Sequence, residues 1–186
     1  MIWNTHYIKT DHAFLSASKY HWIRYSEEQL KRAWTTFKAA EEGTKLHKFA
    51  KDAIDLGIRQ RDSGETLTMY INDAIGYRMS TEVLLYYSDV AFGTADAISF
   101  DEKKKMLRIH DLKTGKIKAC MDQLKIYAAY FCLEYKMKPA EIKIELRIYQ
   151  NDDVDICQPD PDEIAHIMSK IVTFDKLIQK IKILEG

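Results

Sequence analysis

Residues 142 to 149 carry the clearest pattern in the chain, a strict alternation of apolar and polar side chains. Isoleucine or leucine occupies every even position, and Lys, Glu, Arg or Tyr occupies every odd one. This period of two predicts a strand with one buried face. After a loop around residues 62–64 the chain is expected to become strand-like. Runs of β-branched and aromatic residues predict three further strands, at residues 83–90, 95–100 and 106–113, with a turn at 101–104.

Helical spacing of apolar residues predicts helices before and after these strands. Ser26 precedes two glutamates and is expected to cap one helix. A second helix is predicted from about residue 44 to residue 58. Its buried face would be formed by Leu46, Phe49, Ala50, Ala53 and Ile54. The apolar stretch from about 119 to 135 predicts a buried helix, and Pro161 is expected in the first turn of a last helix.

This order of elements predicts an α/β chain of the α+β kind, with one central mixed sheet flanked by helices. The 186 residues suffice for one domain with a sizeable core and fall short of what two domains usually need. We therefore expect a single domain. Its parts would be an N-terminal helical region of about residues 1–62, a core of about 63–150 and a C-terminal helix of about 160–184.

Composition is that of a globular protein, with 46% apolar and 30% charged residues. No stretch approaches the roughly 20 apolar residues of a membrane helix, and the first residues lack the basic start and apolar run of a secretory signal. We expect a soluble cytoplasmic protein with no membrane partner. The three cysteines show no C-x-x-C spacing, so a disulfide scaffold is not expected, and Cys120 and Cys132 are predicted to be buried free thiols.

Three short motifs follow one another along the predicted strands and the helix after them. They are Gly93-x-x-Asp96, Asp111-x-Lys113-Thr-Gly and Gln123-x-x-x-Tyr127. Because residues two apart in a strand face the same side, Asp111 and Lys113 project together, and Asp96 lies on the preceding strand of a predicted hairpin. Two carboxylates beside an ammonium predict a site for a hard divalent cation, an arrangement suited to phosphodiester hydrolysis.

The acid-x-Lys pattern carries little information by itself, because it occurs five times in the chain. Four of these occurrences are typical of solvated surface charge. Asp111 differs because it ends an apolar strand, follows the Gly-x-x-Asp motif and precedes the Gln-x-x-x-Tyr motif.

The combined pattern resembles the RecB-type branch of the PD-(D/E)xK nucleases, which also have an upstream histidine, here His47. The resemblance covers roughly residues 43 to 130. It implies a restriction-endonuclease-like core and a metal-dependent DNA nuclease. Asp96 and Asp111 would be catalytic metal ligands, Lys113 the catalytic lysine and His47 a further metal ligand.

The resemblance also implies Mg²⁺ or Mn²⁺ as the cofactor. Several members of the branch hold a four-cysteine iron–sulfur cluster, but this chain has three cysteines and none in its N-terminal segment, so we predict no cluster. The expected partner is DNA, at ends or in single strands, with a recombinase or single-strand-binding protein as a candidate protein partner. The small size and standalone organisation resemble phage or prophage enzymes, which act in the bacterial cytoplasm. The sequence does not decide between a monomer and an oligomer.

Five further residues have both a functional and a structural interpretation. His47 lies at the edge of its predicted apolar face, where a histidine is usually structural. Glu82 is a candidate metal ligand or an exposed residue at a strand start. Gln123 and Tyr127 share a helix face and either contact DNA or form part of the packing. Lys51 and Lys116 are candidate phosphate contacts or ordinary surface lysines.

Three functions remain open at this point. The leading hypothesis is an exonuclease that acts at DNA ends in phage DNA recombination, repair or processing. A structure-specific or nicking endonuclease would use the same site. A catalytically silent DNA-binding protein of the same fold is the alternative outside the enzymes.

Lys plus Arg and Asp plus Glu both number 28, and this neutral total argues against DNA binding through bulk charge. The charges are nevertheless segregated. Residues 103 to 118 hold seven Lys or Arg against the single acid Asp111, while residues 152 to 163 hold six acids and no Lys or Arg. The sequence therefore predicts a basic region around the proposed site, and DNA binding that is modest and salt-sensitive.

Overall fold

Within residues 13 to 185, five strands form one mixed sheet in which the spatial order equals the chain order. They are β1 (Ser80–Ser88), β2 (Ala91–Asp101), β3 (Met106–Leu112), β4 (Lys143–Gln150) and β5 (Asp153–Cys157). All neighbours are antiparallel except β3 and β4, which are parallel. A parallel pair needs a crossover connection, and here a helix supplies it. The predicted α+β class with a mixed sheet is confirmed.

The computed structural model describes residues 13 to 185, and the chain divides into two compact units, residues 1–44 and 45–186. Its helices are α1 (Glu27–Asp55), α2 (Thr66–Gly76), α3 (Asp122–Glu134) and α4 (Pro161–Glu185), with 3₁₀ segments at Ala17–Arg24 and Pro139–Glu141. In this described part of the chain, no helix is long and apolar enough to cross a membrane.

The sheet buries apolar side chains on both faces in the second unit. One cluster joins Leu107 and Ile109 of β3 to Leu124 of α3 and Ile164 of α4. A second cluster contains Ala50, Ala53, Ile54, Tyr70, Ile71, Ala74, Leu112 and Tyr149. Successive residues of β3 alternate between these clusters, as the pleat of a strand requires. Both faces of the central strand are therefore buried, and polar side chains on this strand are placed in a low-dielectric interior.

The described part of the first unit confirms one predicted helix start. The Ser26 hydroxyl accepts the backbone N–H of Gln29 at 3.2 Å, and the Gln29 side-chain oxygen accepts the backbone N–H of Ser26 at 2.8 Å. This reciprocal pair is a capping box, which satisfies N–H groups that no helical carbonyl can reach. In the same unit the Phe14 ring lies 5.0 Å from Trp34 and 5.2 Å from Phe37, measured between ring centroids.

Several predicted element boundaries are wrong. The two helices predicted before residue 58 are one helix, α1, because the cost of a glycine inside a helix, about 1 kcal/mol at Gly43, is small enough to be tolerated. Leu46 and Phe49, which are expected to be buried, expose 39% and 49% of their surface. Periodicity identifies the side of the helix that packs, but the width of the contact depends on the neighbouring elements.

The chain after residue 64 was expected to be strand-like, and this is wrong at α2, which is a helix; strand β5 was not predicted. The segment of α2 contains Thr66, Thr68 and Ile71, whose branched side chains favour strands in isolation. Its apolar residues nevertheless pack in the second cluster with helical spacing. Strand β5 is rich in aspartate and forms through its antiparallel pairing with β4. The strands predicted at 83–90, 95–100, 106–113 and 142–149 are confirmed as β1 to β4, with ends that differ by a few residues.

Candidate active site

Asp96 and Asp111 lie side by side on neighbouring strands, as the hairpin interpretation predicted. The β2–β3 ladder pairs Ala97 with His110, so the two aspartates occupy the next position along it. There the Asp96 side chain replaces a backbone partner, since its Oδ2 accepts the backbone N–H of Leu112 at 3.2 Å. This bond holds one carboxylate against the strand that carries the other.

The Asp111 carboxylate is almost completely buried, with 2% of the residue exposed. Burial, followed by the negative charge of Asp96, raises the pKa of Asp111 to about 6. Lys113 opposes this shift, because its Nζ donates to Asp111 Oδ1 at 3.2 Å. Nζ also lies 2.9 Å from Oδ2, but this ion-pair contact lacks the angle of a hydrogen bond, and within the described residues Oδ2 is buried without a donor.

Lys113 is held in place from its other side by helix α3. Its Nζ donates to Gln123 Oε1 at 3.0 Å, and Gln123 Nε2 donates to the Tyr127 hydroxyl at 2.9 Å. An ammonium has three N–H donors, so the bonds to Asp111 and Gln123 leave one for a water or a substrate oxygen. The two sequence motifs therefore meet in one hydrogen-bonded chain that runs from the buried carboxylate to the helix.

Gly93 leaves room for Tyr127, the last side chain of this hydrogen-bonded series. A Cβ atom at Gly93 would lie 2.8 Å from Cε1 of Tyr127, a distance that side chains do not tolerate without displacement. The glycine on β2 is thus needed for the close packing of the tyrosine on α3, and its backbone does not require a positive φ. Gly115, in the loop after β3, differs: among the described residues, a Cβ atom there would meet no neighbour within 4 Å. Gly115 therefore has no such packing role.

On the other side of Asp96, side chains from two helices and two strands form a small cleft. It is lined by His47, Lys51, Tyr70, Glu82 and Asp96 and has a volume of about 20 Å³. His47 Nδ1 lies 3.4 Å from Asp96 Oδ2. A space of this size accommodates about one water-sized atom, so the cleft is suited to a single ion or water rather than to a larger ligand.

Glu82 and Lys51 belong to this cleft but differ in their surroundings. Glu82 is an exposed residue of β1 with a φ of 49°, an irregular strand position opposite Asp96. Lys51 forms an ion pair with Asp55 one helical turn later, which raises the pKa of Lys51. Lys116 is exposed in the loop after β3 and lines a separate pocket together with Lys113.

The donor set at this position fits a hard divalent cation. Two carboxylates lie together, and their mutual repulsion contributes to the raised pKa of Asp111. Among the described residues the buried Asp111 Oδ2 accepts no hydrogen bond, and its close cation is Lys113 Nζ at 2.9 Å. Mg²⁺ is commonly held by one or two carboxylates and keeps several waters. Across residues 13 to 185, no three His, Cys, Asp or Glu side chains are already arranged around one metal position. Ligation by His47 or Glu82 therefore stays a prediction.

Two residues of the site were missed by sequence reasoning. Tyr70, 3% exposed, lines the cleft on Asp96, and burial together with the charges of Asp96 and Asp111 raises the pKa of its hydroxyl. Gln150 organises the loop after Lys113: its Oε1 accepts the Ala119 N–H at 3.0 Å, and its Nε2 donates to the Ile117 carbonyl at 2.8 Å. Tyr70 could have been identified only if residues 66–76 had been predicted as a helix. The one signal for Gln150 was its position at the end of the strand β4.

Two sequence predictions about this region are wrong. Lys103, Lys104 and Lys105 do not surround the aspartates, because they lie in the turn that joins β2 and β3, at the opposite end of the hairpin. Of the seven basic residues in 103–118, three lie in the turn before β3, one on β3 and three after it, so the length of β3 separates the two groups. Cys120 is exposed rather than buried, because α3 begins at Asp122 and leaves Cys120 in the loop before it, whereas Cys132 is buried as expected.

Comparison with known proteins adds no identification. No family model, no curated protein and no solved structure matches this chain. The functional interpretation of the site therefore depends on its geometry and on the motifs described above.

Proposed function

We propose that this protein is a metal-dependent DNA nuclease that hydrolyses phosphodiester bonds. The observation that carries the proposal is the meeting of Asp96, Asp111 and Lys113 at one point, with Lys113 bound by Gln123. Of the five acid-x-Lys patterns, this one combines a buried acid with a lysine oriented by a second partner. Its resemblance to the RecB-type PD-(D/E)xK motifs supports the same conclusion.

In this proposal Asp96 and Asp111 would hold Mg²⁺ or Mn²⁺. When bound, the cation would neutralise charge at a phosphoryl oxygen and lower the pKa of a nearby water. Asp111 is poised for that role because its burial beside Asp96 disfavours two uncompensated negative charges. His47, 3.4 Å from Asp96, orients this carboxylate or adds a ligand.

Lys113 would act on the phosphate directly. The bonds to Asp111 and Gln123 fix the direction of its remaining N–H, which can orient the attacking water or stabilise negative charge that develops on the phosphoryl group. Tyr127 contributes by holding Gln123, so we assign Gln123 and Tyr127 as positioning residues. About 30% of the Lys113 side chain is exposed, which leaves it accessible to substrate.

The test is nuclease activity on linear single- and double-stranded DNA with Mn²⁺. Asp111→Asn and Lys113→Ala are each expected to lower the rate by at least about 100-fold, since each removes a group that stabilises the transition state. The matched control is Glu141→Ala with Lys143→Ala, an exposed acid-x-Lys pair that should leave the rate unchanged. Activity that survives both Asp111→Asn and Lys113→Ala refutes the proposal.

Exonuclease action at DNA ends is the specific form that we propose, and the motif resemblance supports it. A structure-specific or nicking endonuclease is the second candidate, because the same groups would serve it. Covalently closed circular DNA separates the two: an exonuclease leaves it intact, whereas an endonuclease nicks or linearises it.

A catalytically silent DNA-binding protein would bind DNA without requiring a divalent cation at Asp96 and Asp111. Calorimetric titration with Mn²⁺ addresses this alternative directly. We expect one binding event in the native protein that disappears in both Asp96→Asn and Asp111→Asn. If the native protein binds DNA but shows no such event and no hydrolysis, the silent alternative is correct.

A further inference from the structure

A large cavity in the second unit lies away from the aspartates. It has a volume of about 780 Å³ and opens beside the turn that joins β2 and β3. Four basic side chains line it, and they come from three different places in the sequence. They are Arg78, after α2, Lys103 and Lys104, in the turn, and Arg108, on β3.

Two acidic side chains also line the cavity, and one of them, Asp101, is already bound within the turn. Asp101 Oδ1 accepts the backbone N–H groups of Lys103 and Lys104, each at 3.0 Å, and Asp101 Oδ2 lies 3.9 Å from Lys104 Nζ. These bonds fix the turn and so set the positions from which both lysines project. Glu102 is the other acid, so the four cations exceed the carboxylates in the lining.

The wall of the cavity is preorganised around Tyr77. The Arg108 guanidinium lies 4.4 Å from the centre of the Tyr77 ring, and the Arg147 guanidinium lies 5.0 Å from it. Arg108 Nε also donates to Glu145 at 3.1 Å. Because two guanidinium groups already occupy the ring, Tyr77 is not available to stack on a base. Phe100, the other aromatic residue of the lining, packs against Phe131, with 5.2 Å between the ring centroids. The cavity therefore suits phosphoryl oxygens rather than nucleobases.

The cavity and the cleft are separate but lie beside the same two strands, β1 and β2. Ser80 lines the cavity, and Glu82 of the cleft lies two residues further on β1, about 7 Å away at the rise of a strand. Its far end lies near Asp101, five residues after Asp96 on β2, or about 17 Å from the aspartates. In duplex DNA this distance corresponds to about five base pairs along the helix axis.

We propose that this cavity is a second contact for the phosphodiester backbone of DNA, which holds the substrate between about two and five base pairs from the bond that is cleaved. The inference rests on the proposed nuclease function and adds to it a surface remote from the metal ligands. Arg78, Lys103 and Lys104 are exposed and supply charge without a role in the core. Phosphate contacts of this kind contribute affinity that does not depend on base sequence.

The test compares the variant Arg78→Gln, Lys103→Gln, Lys104→Gln with a control of equal charge change, Lys170→Gln, Lys176→Gln, Lys180→Gln, on the exposed side of α4. Affinity for a duplex of about 20 base pairs, measured in EDTA, should fall at least about tenfold in the cavity variant, and the salt dependence of log Kd should decrease by about two to three. The control should bind like the native protein. Circular dichroism melting verifies that both variants fold.

Hydrolysis of a small phosphodiester, bis(p-nitrophenyl) phosphate with Mn²⁺, separates this inference from the proposed function. The cavity variant should keep the native rate on this substrate, which reaches only the catalytic groups, while kcat/KM on DNA falls. Equal DNA affinity of the native and cavity-variant proteins, or an equal loss in the control, overturns the inference. So does displacement of the duplex by inorganic pyrophosphate at comparable concentration, which would make the cavity a small-anion site. Absence of hydrolysis of either substrate, with DNA binding still lost in the cavity variant, refutes the proposed function alone.

Discussion

Asp111→Asn should make the metal-free protein more stable while lowering the proposed nuclease activity at least about 100-fold. The native protein keeps Asp111 charged at neutral pH although burial and Asp96 raise its pKa to about 6, from 3.8 for an ordinary aspartate. This difference corresponds to about 3 kcal/mol, and it already includes the favourable contact with Lys113. Asparagine has nearly the same shape and carries no charge, so it removes this cost.

The sign of the pH dependence follows from the raised pKa. The folded state binds the Asp111 proton more tightly than the unfolded state, so Asp111 destabilises the fold increasingly as the pH rises from 3.8 through about 6. The stability advantage of Asp111→Asn should therefore approach about 3 kcal/mol near pH 8 and shrink to about 0.5 kcal/mol near pH 4. Neutral protonated aspartic acid and asparagine are then nearly equivalent.

Urea unfolding in EDTA, followed by circular dichroism, measures this difference at each pH. Glu102→Gln, which removes an exposed carboxylate from the β2–β3 turn, is the control and should change stability little. Saturating Mn²⁺ should reverse the order, because it stabilises the native protein by mass action and not the variant. If Asp111→Asn is less stable than the native protein at pH 8 in EDTA, or its advantage does not shrink at pH 4, the electrostatic account of the site is wrong.

Three other predictions concern the support of the site. Gly93→Ala should displace Tyr127, costing about 1–3 kcal/mol of stability by overpacking and reducing nuclease activity; unchanged stability and activity would contradict the packing role. Gln150→Leu should cost about 1–3 kcal/mol in urea unfolding, because Ala119 N–H loses its acceptor in the loop after Lys113, and an unaltered midpoint would exclude that role. Burial, followed by the charges of Arg147 and Arg108, lowers the pKa of His110 to about 3, so the unfolded state takes up a proton at this residue at a higher pH than the folded state does. Between pH 7 and pH 5 the free energy of unfolding of the native protein should therefore fall by about 2 kcal/mol relative to that of His110→Phe. Parallel pH profiles of the two proteins would refute this.

Much of the candidate site was predictable from local patterns. The strand predicted at 106–113 indicated that Asp111 and Lys113, two residues apart, share a side, and the spacing of Gln123 and Tyr127 indicated a common helix face. Both relations follow from the geometry of a single element, which residue spacing determines. The bond between Lys113 and Gln123 joins two elements, and the motif order only suggested it.

The charges show most clearly where local patterns stop being informative. Asp101-x-Lys103 and Asp111-x-Lys113 have the same pattern ten residues apart on one hairpin, yet one lies in an exposed turn and the other contains a buried carboxylate. Antiparallel pairing of β2 and β3 places the two patterns at opposite ends of the hairpin. The basic residues that are contiguous in sequence therefore lie in two separate regions of the structure. Helix α2, which covers the sheet beside Asp96 and contributes Tyr70, was hidden by its β-branched residues.

Residue spacing thus predicted the class of fold and four of the five strands, and the combined motifs singled out two aspartates and a lysine as the candidate site. Only the tertiary structure decided which acid is buried, that Gly93 leaves room for Tyr127, and that a large basic cavity extends to about 17 Å from the aspartates. The physical reason is that dihedral preferences and side-chain periodicity act within one element. Burial, the pKa of Asp111 and the distance between charges depend on neighbours that are remote in sequence and are brought together by strand pairing and helix packing.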